Sequence, residues 1–227
     1  MAETLSPKVA VYDLDRTILR RPTFTYFLFW AALHYKPWRL LLAPLWLILA
    51  VSYTLKLFDR NVFKPACITL FLGRRLEAEW MTGVAKAFAQ SRVPSDVQAG
   101  ARAAIDRDRA EGYRLIMATA APELYAPAIG AALGFDAVIA TRHQRFVNGN
   151  WSAALQGVNC YGAEKARRVA EYFAEQGWAK PAHMRAYSDH HSDAPLFAMA
   201  DEATLVADGK KAEAFARANG WALNNFR

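Results

Sequence analysis

The stretch that most constrains this chain is Val9-Ala10-Val11-Tyr12-Asp13-Leu14-Asp15-Arg16-Thr17, where an apolar run ends in two carboxylates and a hydroxyl. An unbroken row of β-branched and aromatic residues reads as a buried strand. Side chains alternate along a strand, so Asp13 and Asp15 emerge on the same side at its carboxyl end. In open α/β sheets that end is where ligands bind. Two carboxylates this close repel unless a cation lies between them or one keeps its proton. They point to a Mg2+ site, to acid/base chemistry or to both, although an Asp-rich turn after a strand would satisfy the same residues.

The rest of the chain alternates between short apolar runs and helical patterns. Residues 113–118, 137–141, 184–187 and 204–206 read as strands. Residues 123–133, 163–176, 195–200 and 210–218 read as helices, as do residues 95–111, with Pro94 resetting the chain and Ser95 or Asp96 as N-cap. Asn148-Gly149, set between Phe146 and Trp151, predicts a hairpin turn. Such alternation predicts an α/β fold with a doubly wound parallel sheet. Residues 20–92 interrupt it. Two uncharged runs, 23–35 and 40–55, meet at Lys36-Pro37 and read as apolar helices, and residues 67–93 turn amphipathic. The expected organisation is a catalytic core of residues 1–19 and 93–227 with a helical cap of residues 20–92 inserted into it.

Charge sharpens the picture of that insertion. The chain carries 28 Lys and Arg against 21 Asp and Glu, and the surplus lies in residues 1–95, which hold 13 basic and 6 acidic residues. A basic surface beside Trp- and Leu-rich segments favours anionic lipid over nucleic acid. Only Cys67 and Cys160 are present, so no disulfide framework is expected and a reducing cytoplasm is the default. Residues 1–8 show no apolar leader.

Four groups stand at or near the carboxyl ends of predicted strands or at a helix start: Asp13 with Asp15, Thr119, Asp189 with Asp193, and Lys165 in Tyr161-Gly162-Ala163-Glu164-Lys165. A parallel sheet brings such ends together. Phosphoryl transfer needs a nucleophile, a proton donor for the leaving oxygen, carboxylates for Mg2+, and donors for the equatorial oxygens.

In this order and spacing the residues resemble the four-motif pattern of the haloacid dehalogenase superfamily, in its phosphoserine-phosphatase-like branch with a cap after the first motif. The resemblance implies a Rossmann-like core and a phosphatase. Asp13 would be the nucleophile forming an aspartyl-phosphate and Asp15 the general acid/base, with Thr119 and Lys165 on the phosphoryl oxygens. Asp189 would ligate Mg2+ and Asp193 would support it, Asp13 and Asp15 completing the metal's carboxylate set. Arg16 departs from the glycine that many members carry there, and it either reaches an anion or is merely solvated. His190 and His191 are adjacent and cannot easily share one metal.

The apolar, Pro-interrupted segments directly after the first motif also resemble the phosphatidylglycerophosphatase C family of membrane lipid phosphatases. That implies a phosphorylated lipid substrate, phosphatidylglycerophosphate first, and an anionic membrane surface as partner. The alternatives are a soluble phosphatase of a small metabolite such as phosphoserine, and a non-catalytic membrane-binding protein. Because Asp13 precedes the apolar segments while Thr119, Lys165 and Asp189 follow them, only zero or two crossings are allowed. Residues 23–35 rise about 20 Å, short of a hydrocarbon core of about 30 Å. The expectation is an in-plane or shallow hairpin on the cytoplasmic side of the inner (plasma) membrane. Arg20, Arg21, Lys36, Arg39, Lys56, Arg60 and Lys64 would then lie near headgroups; a cytoplasmic location is the alternative.

Overall fold

The computed structural model describes residues 6–227; residues 1–5, part of the segment read as lacking a leader, lie outside the described residues. β1 (Lys8–Tyr12) leads through the first carboxylates to α1 (Phe24–Tyr35), a 3-10 turn (Pro37–Leu42), α2 (Ala43–Thr54), α3 (Arg60–Phe71), β2 (Arg75–Leu76) and α4 (Ala78–Asp96). There follow α5 (Ala99–Ala110), β3 (Arg114–Pro122), α6 (Ala126–Leu133), β4 (Ala137–Thr141), β5 (His143–Arg145), β6 (Trp151–Leu155) and α7 (Ala163–Glu175). The chain closes with β7 (His183–Ser188), α8 (Ala194–Phe197), β8 (Glu202–Val206), α9 (Lys210–Asn219) and β9 (Ala222–Asn224).

The main sheet is parallel throughout, in the order β4-β3-β1-β7-β8-β9. β1 lies between β3 and β7, with Val9 opposite Arg114 on one side and Met184 on the other. Its neighbours lead off in opposite directions, so the crevice of a doubly wound sheet opens at its carboxyl end, where Asp13 stands. Alternation along β1 divides the core. Val9 and Val11 pack with Val169, Phe173 and Leu196 of α7 and α8, while Ala10 and Tyr12 face Ala101, Ile105 and Ile129 of α5 and α6. β5 and β6 form the expected hairpin, Gly149 taking φ +80°, but they belong to a separate three-stranded sheet completed by β2.

The segments entering and leaving the inserted helices run together: Leu19 bridges Val97, and Arg20 N donates to Asp96 O at 2.9 Å. Here the expected helix start at Ser95 or Asp96 is corrected. α4 runs on through Pro94 to Asp96, and α5 begins after Gln98. Buried Asp96 pairs with Arg92 at 2.7 Å and Arg21 at 3.0 Å, which fastens the last turn of α4 although a proline precedes it. The amphipathic stretch read over residues 67–93 divides into the end of α3 and most of α4, broken where Gly73 adopts φ +109°.

The two apolar runs have different fates. α1 packs inward through Phe27, Leu28, Ala31 and Ala32, and Phe27 meets Phe88 and Tyr125. None of the residues of the 3-10 turn or α2 is buried. Leu41 is 81% exposed and Ile48 61%, with Trp38, Leu45, Val51 and Leu55 also exposed. Only the partly buried side, through Trp46 against Phe29, joins the core. The expectation of a two-helix apolar hairpin facing lipid is therefore corrected for residues 23–35, whose apolar side chains largely fill the interior.

Candidate active site

β1 ends at Tyr12, and Asp13 N donates to Tyr187 O at 2.9 Å, so Asp13 sits where the strand has just left the sheet. Gly162, whose φ of +60° favours glycine, caps the start of α7, and Lys165 in the first turn is directed back over the sheet. Lys165 Nζ donates to Asp13 Oδ1 at 2.8 Å and to Asp193 Oδ2 at 2.5 Å, and Ser188 Oγ donates to the same Asp193 oxygen at 2.6 Å. Asp193 lies in the 3-10 turn before α8. Asp15 Oδ1 accepts from Thr23 N at 2.8 Å, and Thr23 Oγ1 in turn hydrogen-bonds Tyr125 OH at 2.9 Å. Thr119, buried within β3, accepts Ala121 N on Oγ1 at 3.0 Å.

All six residues singled out from the sequence, Asp13, Asp15, Thr119, Lys165, Asp189 and Asp193, line one cavity of about 300 Å³. Burial dominates its electrostatics. It pushes Asp13 up to about 7, with Asp193 and Asp189 adding to the rise and Lys165 opposing it. Burial likewise raises Asp189 to about 6, against Lys165 and Arg16, and raises Asp15 against the hydrogen bonds from Thr23. Lys165 is held firmly protonated, because the carboxylates outweigh its own desolvation. Four carboxylates, Asp13 and Asp193 of them buried, thus share the cavity with Lys165, Arg16 and Arg60, and among the described residues Asp193 Oδ1 is buried without a partner. A hard divalent cation suits this oxygen-rich surplus of negative charge. Among the described residues no three acidic, His or Cys side chains form a ready-made cage. Water and substrate oxygens would have to complete the shell, as is usual for Mg2+.

The cavity also includes residues that sequence reasoning did not place there: Pro22, Arg60, Ala120 and Tyr161. Arg60 lies 3.8 Å over the Tyr161 ring and donates to Tyr53 OH at 2.9 Å. Lys64, one turn further along α3, is buried and donates to Ala120 O and Asn159 Oδ1, both at 2.5 Å. Burial lowers its pKa to about 8, with Asp15 opposing. Asn61 accepts Asn159 N at 2.8 Å, so α3 is tied to β3, which carries Thr119, and to the loop that leads to Lys165. The expectation that Lys64 faces headgroups is corrected: its charge serves this buried joint. Lys36 and Arg39 likewise donate to main-chain oxygens, of Leu72 and of Thr69 and Leu70. The available signal was Asp59, which accepts Asn61 N and Val62 N and so caps a helix that places Arg60, Asn61 and Lys64 on one face. His190 lines the cavity, bonded to Ser192 Oγ at 2.9 Å, whereas His191 is exposed.

The fold and this site define the class: a doubly wound α/β protein with a lysine-bridged acidic cavity at the carboxyl edge of its central strands. A family model described as haloacid dehalogenase-like hydrolase matches residues 10–198, and the chain belongs to that family. Protein CicA of Caulobacter vibrioides is 30% identical over 202 residues, which are 86% of this chain and 84% of that one. A protein of unknown function from Bordetella pertussis Tohama I has a crystal structure that matches 98% of this chain and 100% of its own, with a TM-score of 0.84 at 18% identity. A structure of phosphoserine phosphatase with a phospho-aspartyl intermediate analogue matches 98% of this chain and 94% of its own, with a TM-score of 0.61 at 13% identity. These likenesses bear out the predicted α/β core.

Proposed function

We propose that the chain is a Mg2+-dependent phosphomonoester phosphatase that works through an aspartyl-phosphate on Asp13. The observation that carries this reading is the Asp13–Lys165–Asp193 row beside Asp15 and Thr119 in a single cavity. The family and its phosphoserine phosphatase neighbours support it. Asp13 supplies the attacking oxygen, and Lys165 holds it in place while lending positive charge to the phosphoryl group. Asp15, fixed by Thr23 N, protonates the departing alkoxide and later takes a proton from the attacking water. Thr119 and Lys165 donate to the equatorial oxygens. Asp13, Asp189 and Asp193, with Asp15 nearby, would hold Mg2+, which supplies charge neutralisation when bound.

Two tests check these roles. Chelation with EDTA should remove turnover and added Mg2+ should restore it; activity indifferent to both would refute the metal's part. Asp15→Asn should slow hydrolysis of alkyl phosphates by on the order of 10² to 10⁴ but act far less on activated aryl phosphates, whose leaving groups need little protonation. Equal losses on both would remove Asp15 from that role.

For the substrate class we favour a lipid phosphate, phosphatidylglycerophosphate first, met at an anionic membrane surface on the cytoplasmic side. This finer reading is supported by the exposed apolar surface of the 3-10 turn and α2. It also agrees with the resemblance to phosphatidylglycerophosphatase C. Pro37–Thr54 is the one segment among the described residues long and apolar enough to cross a membrane. A single crossing would separate Asp13 from Thr119, so the segment would have to lie along the surface. A second reading, a small metabolite such as phosphoserine, is favoured by the phosphoserine phosphatase likeness and by the modest cavity. Against it, the inserted residues bring Pro22 and Arg60 to the cavity and no carboxylate for an ammonium group.

A triple substitution, Leu41→Gln with Leu45→Gln and Ile48→Gln, tests the membrane. Exposed positions tolerate such changes, so the melting temperature should move by a few degrees at most. Co-sedimentation with phosphatidylglycerol vesicles should fall at least about tenfold, since each side chain gives up apolar transfer energy. Unchanged vesicle binding, or none by the native chain, would return the substrate to the soluble class.

A further inference from the structure

Beside the catalytic cavity the surface carries a row of arginines that the chemistry above does not use. A cavity of about 530 Å³ is lined by Arg16, Arg20, Gln98 and Arg227. A smaller one, of about 180 Å³, shares Arg16, Gln98 and Arg227 with it and also includes Asp189. Arg16 and Asp189 in turn line the catalytic cavity, so the arginines adjoin the reacting centre through shared walls. Arg227 pairs with Asp208 at 3.0 Å, while Arg16 and Arg20 are exposed and make no ion pair among the described residues. Three guanidinium groups therefore line these two cavities with two carboxylates, Asp208, which pairs with Arg227, and Asp189, which also lines the catalytic cavity.

Arg16 is the informative member. Its φ of +62° lies in the left-handed region, one of two such non-glycine residues in the described structure. Glycine would adopt this backbone without penalty. The loop is nonetheless held there, because Gln98 Nε2 donates to Arg16 O at 3.0 Å and to Thr17 O at 2.8 Å. A strained position that keeps a long cationic side chain at the edge of an active site invites a functional reading. Guanidinium groups bind phosphate oxygens in a bidentate fork, and the cluster lies beside the place where the scissile phosphate must sit.

Resting on the phosphatase reading, we propose that Arg16, Arg20 and Arg227 form a second anion subsite. The preferred substrate would then be a phosphomonoester that carries a further phosphate or phosphodiester some bonds away. A soluble bisphosphate and a lipid with a phosphodiester in its headgroup present this chemistry equally well.

The test compares propane-1,3-diol and hexane-1,6-diol bisphosphates with propyl and hexyl monophosphates. For the native chain kcat/KM should favour at least one bisphosphate about tenfold or more. In a double variant, Arg20→Gln with Arg227→Gln, that ratio should collapse towards one, chiefly through KM. Absence of preference in the native chain, or a ratio the double variant leaves intact, would overturn the subsite. If the native chain hydrolyses none of the four, the phosphatase reading fails instead. Calorimetric binding of the same probes to Asp13→Asn protein then still reports on the subsite, with the same ordering expected and the same loss once Arg20→Gln and Arg227→Gln are added to Asp13→Asn. A lipid arm sets phosphatidylglycerophosphate in mixed micelles beside its deacylated form. The deacylated compound should retain sensitivity to the double variant. If the double variant leaves turnover of the deacylated compound unchanged, the subsite is refuted.

Discussion

Replacing Asp13 by asparagine will abolish turnover while leaving the chain folded. The amide keeps the shape of the side chain and an oxygen for Lys165 Nζ, now 2.8 Å from Oδ1, but it cannot attack phosphorus to give a stable acyl phosphate. Loss of a nucleophile removes the covalent route entirely, so kcat should fall by at least about 10⁴-fold. Asp13 is buried and already pushed up to about 7, so removing its charge relieves desolvation as well as an ion pair, and the two largely offset. Steady-state kinetics on a phosphomonoester with Mg2+, beside circular dichroism and a melting curve, provide the check. Native activity in Asp13→Asn would move the nucleophile elsewhere; a collapsed melting curve would mean that the residue is structural.

Lys165→Met will cost both activity and stability, and its stability defect will depend on pH. Methionine fills much the same volume but leaves Asp13 and Asp193, both buried, without their common cation. Breaking a buried pair by removing one partner typically costs about 3–5 kcal/mol, because an uncompensated charge stays behind. Among the described residues only the Ser188 hydroxyl would still donate to the Asp193 carboxylate. The sign with pH follows from the direction of the carboxylate shift. Burial already raises Asp13 to about 7 with the lysine present, and without it the folded value rises further. An unfolded aspartate titrates near about 3.9. Below that pH both states bind the proton and no penalty arises. Between about 3.9 and 7 native and variant lose stability alike, because Asp13 resists ionisation in both; above about 7 the native Asp13 ionises against Lys165 while the variant's still resists, so only there does the variant fall further behind. In EDTA, the deficit of Lys165→Met relative to the native chain should be largest near pH 8 and shrink towards pH 4.5. Urea denaturation at the two values measures it, and a deficit independent of pH would show that Lys165 does not neutralise these carboxylates.

The parts of the molecule readable in the chain are those whose signal is local. β4 occupies residues 137–141, the same span that its apolar run predicts, and the Asn148-Gly149 turn closes the predicted hairpin. Helix ends followed less well. Pro94 marks a break by local rules, yet Arg92 and Arg21 converge on Asp96 and carry α4 past it. Lys64 reads as one more member of a basic junction, because nothing near it in the chain reveals Ala120 or Asn159 as its partners. A buried lysine is made by contacts distant in sequence.

By itself the sequence determined the α/β class and the set of polar side chains at strand ends, whereas Asp13 and Asp15 share one cavity through the turn that follows Tyr12 and not through strand alternation. Strand alternation and helical period are properties of neighbouring residues, and a parallel sheet must gather its carboxyl ends. Only the tertiary structure decided which apolar segment faces outward. Residues 23–35 and 40–55 are both apolar around the whole helix, so hydropathy cannot rank them, and packing put α1 inside while it left Pro37–Thr54 uncovered. The same holds for charge: whether an arginine or lysine pairs, caps a carbonyl or stays free depends on which groups the fold brings within about 3 Å of it.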